Sequence, residues 1–97
     1  MSEEDRDREF RQMVDGFIDQ ANRYIETNPK ENVGMALLYA ASRFNAFVVA
    51  SHAPSADKYD GDRKKAVEFF SSEYLRMLDE NLDDYRQIYE TDGETSR

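Results

Sequence analysis

Residues 33–50, VGMALLYAASRFNAFVVA, form the longest apolar run in the chain, broken only by Gly34, Ser42, Arg43 and Asn45. A helix that is apolar nearly all round must be covered on every side, so this run reads as a buried central helix. On a wheel at about 100° per residue its apolar surface splits into two arcs. Val33, Leu37, Ala40, Ala41, Phe44, Phe47 and Val48 make the wider one. Met35, Leu38, Tyr39, Ala46 and Val49 lie opposite. Two polar seams separate the arcs, one at Arg43 beside Ala36 and Ala50, the other at Asn45.

The flanking segments carry narrower stripes. Phe10, Met13, Val14, Phe17, Ile18, Ala21, Tyr24 and Ile25 recur at i, i+3, i+4, i+7, which predicts an amphipathic helix over about 5–27. Its start lies near Ser2 to Asp5, a loose capping box, and Thr27-Asn28-Pro29 ends it because the residue before proline avoids helical geometry. The central helix is expected over 34–52, with Gly34 at the N-cap, Val33 and Leu38 as a hydrophobic staple, Asn32 as a competing cap, and Pro54 closing it. A third helix is expected over 56–90, opening at Ser55 rather than Asp60 because Tyr59 already falls on its stripe, with Gly61 inside it. Its stripe runs from Ala66 and Val67 through Phe70, Tyr74, Met77, Leu78, Leu82, Tyr85 and Ile88 to Tyr89. Residues 91–97 read as a flexible acidic tail. The fold expected is therefore all-α, a single domain over 1–97 with three helices, the central one buried and the outer two long and amphipathic.

Composition narrows the function. At 97 residues and a formal net charge of −8, with 13 Lys and Arg against 21 Asp and Glu, the chain repels phosphate backbones, which argues against nucleic acid. It has no cysteine, hence no disulfide framework or thiolate site, as suits a cytoplasmic protein. The start, MSEEDRDRE, is the reverse of a signal peptide. The central run approaches membrane-spanning length, but Arg43 and Asn45 at its middle argue for a soluble helix.

RFNAF at 43–47 and NLDDY at 81–85, with Ala40–Ser42, Tyr74 and Met77-Leu78, carry a resemblance over residues 13–85. The chain resembles a family of short proteobacterial proteins classed only as a domain of unknown function. The resemblance implies an all-helical fold and a bacterial origin. It supplies no activity, substrate or catalytic residue. Where such proteins begin the central helix with a small residue such as Ser, this chain has Gly34.

Few residues stand out as functional. Arg43 is expected to be partly buried and paired with a carboxylate or carbonyl, since the alanines beside it leave room for its planar fork. Asn81 interrupts the third stripe, as a polar residue that fixes register does. Phe69 sits on the polar face, and an aromatic there suits an interface. His52, the single histidine, follows the central helix with no acid in register, so it reads as a C-terminal cap rather than a base. No Glu-x-x-His pair supports a bundle metal site, and no metal or cofactor is expected. The leading expectation is a small acidic interaction module without catalytic activity, with a protein partner or a homodimer packed through Leu82–Tyr89, including Tyr85 and Tyr89. The alternatives are a small-ligand or weakly enzymatic site at Arg43 and Asn45, or an acidic decoy for a basic protein.

Overall fold

A computed structural model describes residues 2–91, and among them the chain forms three α-helices and no strand. They are α1, Glu3–Tyr24; α2, Lys30–Ser51; and α3, Ala56–Thr91. The all-α, three-helix architecture is the one the sequence predicts. The expected tail lies outside the described residues except for Thr91, which ends α3.

The helix starts follow from local chemistry. At α1 the Ser2 hydroxyl accepts from the Asp5 N–H at 3.1 Å, and the Asp5 carboxylate accepts from the Ser2 N–H at 3.4 Å, a reciprocal capping box. Glu3, Glu4 and Asp5 add negative charge to the positive end of the helix dipole. At α3 the Ser55 hydroxyl accepts from the Lys58 N–H at 3.2 Å, so the earlier of the two expected starts is used and Gly61 lies inside the helix.

The α1–α2 connection differs from expectation at both ends. α1 stops at Tyr24, three residues early, and the chain tightens into i→i+3 bonds from Glu26 to Arg23 and from Thr27 to Tyr24. The Asn28 side chain donates to the Tyr24 carbonyl at 2.9 Å and so satisfies an orphan acceptor of α1. α2 then starts at Lys30 rather than Gly34, because the Pro29 carbonyl accepts from the N–H groups of Asn32 and Val33. A proline at the head of a helix loses no donor the helix needs, and its fixed φ already suits the first turn. Gly34 is consequently an interior residue of α2, and the staple built on it as N-cap does not form. Positive φ occurs at no described residue.

The chain divides into two compact units, Met1–Phe47 and Val48–Arg97, with the division inside α2. The first holds α1 and most of α2, joined by residues 25–29. Val33 is its most enclosed side chain, 9% exposed, while Ala21 and Ile25 of the same unit are half-buried. In the second unit Val48, Val49 and Ala53 are half-buried. So are Tyr59, Asp62, Ala66, Phe70 and Glu73 of α3, at the spacing of one helix face.

The buried central helix is not found. Val33 is the single buried hydrophobic residue described; Tyr39 is 69% exposed and Phe44 63%. The rule behind the expectation says that an apolar helix must be covered, not that its own chain supplies the cover. Each unit by itself leaves large apolar side chains in water, Phe10, Phe17 and Phe44 in the first and Val67, Tyr74 and Tyr85 in the second.

Candidate functional site

The candidate sites are the apolar faces that the helices leave exposed, taken unit by unit. α1 presents Phe10, Met13, Phe17 and Ile18, all exposed, on the stripe expected of it. α2 presents both of its arcs, with Met35, Leu38 and Tyr39 on one and Leu37, Phe44 and Phe47 on the other. The rings of Phe44 and Phe47 meet with centroids 5.6 Å apart. α3 presents Val67, Tyr74, Met77, Leu78, Leu82 and Tyr85, with Tyr89 at 70% exposed. Monomeric soluble proteins scatter single apolar residues over their surface, whereas here the stripe of each helix stays in water.

Within the first unit the surface folds into an open cleft of about 590 Å³ between α1 and α2. Phe17, Ala21 and Tyr24 line it from α1, and Val33, Ala36, Leu37 and Ala40 from α2. The polar side chains in its lining besides Tyr24 are three carboxamides, those of Gln20, Asn28 and Asn32. Gln20 accepts from Arg23, and Asn28 is held to the end of α1. No charged side chain lines the cleft, although 35% of the chain is charged.

The polar residues singled out from sequence fall elsewhere. Arg43 is exposed and makes no hydrogen bond or ion pair with any described residue, so the expected buried pair is not formed. Its guanidinium is left to water. Asn45 is half-buried without a side-chain hydrogen bond to a described residue, and neither it nor Arg43 lines the cleft. Asn81 is exposed rather than packed, and its amide donates to the Met77 carbonyl of its own helix at 2.9 Å. Phe69 is 58% exposed and lies edge-on to half-buried Phe70, centroids 5.2 Å apart. The backbone N–H of His52, not its ring, bonds back to the Val49 carbonyl. The cleft was not foreseen, because it needs α2 to begin four residues before the expected start, which brings Asn32 and Val33 onto the helix.

Ion pairs run along single helices: Arg8–Asp5, Lys58–Asp62, Arg76 with both Glu73 and Glu80, and Arg86–Glu90. Arg8, and then Ser2, hold the Asp5 carboxyl below the usual carboxylate range. The hydrogen bond that Arg76 donates to Glu73, followed by the one it donates to Glu80, raises its guanidinium above the ordinary value. These pairs are solvent-exposed and contribute little to stability. Among the described residues no group of three or more His, Asp and Glu side chains is placed to hold a metal ion.

Fold and surface together define a small all-helical protein whose apolar faces are left open. The chain belongs to the family described as protein of unknown function (DUF3144), which matches residues 10–86. No curated protein and no solved structure matches the chain.

Proposed function

We propose that the protein is an interaction module that works within an assembly, its exposed helix faces covered by another polypeptide. One observation carries this reading: of the large apolar side chains on α1, α2 and α3, almost none is buried within the chain. Burying apolar area is the dominant favourable contribution to folding, at about 25 cal/mol per Å². A chain that leaves it in water is stabilised by whatever covers it.

A membrane is the other apolar medium. α2 is long and apolar enough to cross one by length and composition. Protein is favoured for two reasons. Arg43 would sit well inside the hydrocarbon, at about 2.5–3.5 kcal/mol on insertion scales. The acidic faces of α1 and α3 would also meet the negative surface of anionic lipid.

The test is binding of a hydrophobic dye by the purified chain, alongside flotation with vesicles of neutral and of mixed anionic lipid. Strong dye fluorescence from dilute protein, with the chain left behind by the vesicles, is the expected result. Absence of dye binding at every concentration would overturn the reading, and co-flotation would replace protein by lipid as the covering medium.

A further inference from the structure

We propose that the cleft between α1 and α2 binds a small uncharged molecule with an apolar body and one hydroxyl or amide end, that end lying at the α1–α2 connection. The site falls wholly within the first unit. It goes beyond the assembly reading, which concerns the helix faces at large.

The cleft is built by matched spacing. Phe17, Ala21 and Tyr24 stand at i, i+4 and i+7 on α1, and Val33, Leu37 and Ala40 repeat that spacing on α2. Each set occupies one helix face and runs about 10 Å along it. Because residues 25–29 join the helices, Tyr24 and Val33 mark the end at the connection. The alanines in the lining are too small to close the space between the helices, and buried Val33 with half-buried Ala21 gives it depth. At about 590 Å³ the space is far larger than a packing void. It falls in the range of small-molecule sites, about 300–1,000 Å³, which are apolar with a few polar groups that fix orientation.

Polarity selects the occupant. Asn28 and Asn32 lie at the connection end of the lining. The Asn28 amide nitrogen donates to the Tyr24 carbonyl and the Thr27 hydroxyl, which leaves its oxygen to accept. The Asn32 side chain makes no hydrogen bond to a described residue, so its carboxamide can both donate and accept. A single hydroxyl or amide answers both. A charged head would leave water for a lining without a counter-charge, and an unpaired charge costs far more to bury than a hydrogen-bonded neutral group. A helix of another polypeptide fits less well. Its backbone is already hydrogen-bonded within itself, so its apolar face would cover the Asn28 oxygen and the Asn32 carboxamide without pairing them.

The test titrates 1-octanol, octanoate and octylammonium, one chain with different heads, into the isotope-labelled full chain and follows amide shifts. High salt screens the net charge of −8, which would otherwise favour octylammonium. Saturating shifts confined to the cleft are expected for 1-octanol, with affinity about tenfold or more above either charged probe. Shifts spread equally over α1, α2 and α3 would mean that octanol coats apolar faces, and would overturn the site. Equal affinity for all heads would overturn the neutral ligand. Ala36→Leu and Ala40→Leu fill the cleft at different turns of α2, and each should weaken 1-octanol about tenfold or more. Circular dichroism shows that the helices persist; unchanged affinity in both folded variants would overturn the site. Asn32→Leu should weaken 1-octanol about fivefold while leaving benzene, which has no polar end, unaffected. Equal losses for both would overturn the placing of the polar end. Strong dye binding with no octanol shift would remove this site and leave the assembly reading standing.

Discussion

Ser2 and Asp5 show how much a few side chains can settle. Their reciprocal bonds start α1, and Asp5 also accepts from Arg8 at 2.9 Å. Because the Asp5 carboxyl is held below its ordinary value in the folded chain, its contribution is fully present above the unfolded carboxylate range of about pH 4. It is lost as pH falls through the lower folded value. Asp5→Asn should therefore remove part of the acid loss of α1 helicity seen below about pH 4, followed by circular dichroism. Ser2→Ala should cost about 1 kcal/mol in urea melts at neutral pH. Arg43 gives the opposite expectation. An exposed, unpaired guanidinium holds nothing in place, so Arg43→Ala and Arg43→Met should both change the stability of the isolated chain by no more than about 0.5 kcal/mol. A loss of several kcal/mol for Ala alone, measured in the same melts, would show that an assembled state buries this side chain.

At the scale of the element, periodicity and capping chemistry made the helices legible, because both act between residues a few positions apart. The stripe of α1, the Ser55 cap and the interior Gly61 could all be read directly. Pro29 ends the first helix and also begins the second, since a proline speaks to the segments on both sides of it. The burial of α2 was not legible at all, since it depends on what lies against Met35, Tyr39 and Phe44, and a single sequence does not contain that neighbour. The glycines offer a clean element-scale test. Gly16 and Gly61 lie inside α1 and α3, away from the apolar stripes, and a Cβ on either would meet nothing within 4 Å. Helix propensity alone then decides, and each Gly→Ala change should stabilise the protein by about 0.8–1 kcal/mol. The sites are far apart in the chain and share no partner, so the double variant should give the sum within about 0.5 kcal/mol in denaturant titrations.

For the molecule as a whole, the exposed area sets how steeply urea should unfold it. An unfolded chain of this mass exposes about 16,400 Å², of which a compact fold buries about 10,700 Å². With side chains such as Phe10, Tyr39, Phe44, Val67 and Tyr85 left exposed, this chain buries less, and its exposed area changes less on unfolding. The slope of unfolding free energy against urea is proportional to that change. In dilute solution, where a chain stands alone, the slope should fall below that of a compact protein of equal length. As the concentration rises and apolar faces are covered, the folded state loses exposed surface. The slope per chain should then steepen, and the midpoint should move to higher urea by mass action. A guest that covers the surface at every concentration, such as a tightly retained peptide, would give a steep slope from the start and would be seen by mass spectrometry of the purified protein. A slope and midpoint that stay fixed across a wide dilution series, with the low value throughout, would mean that the faces of α1, α2 and α3 remain open in solution and that their partner is a different molecule.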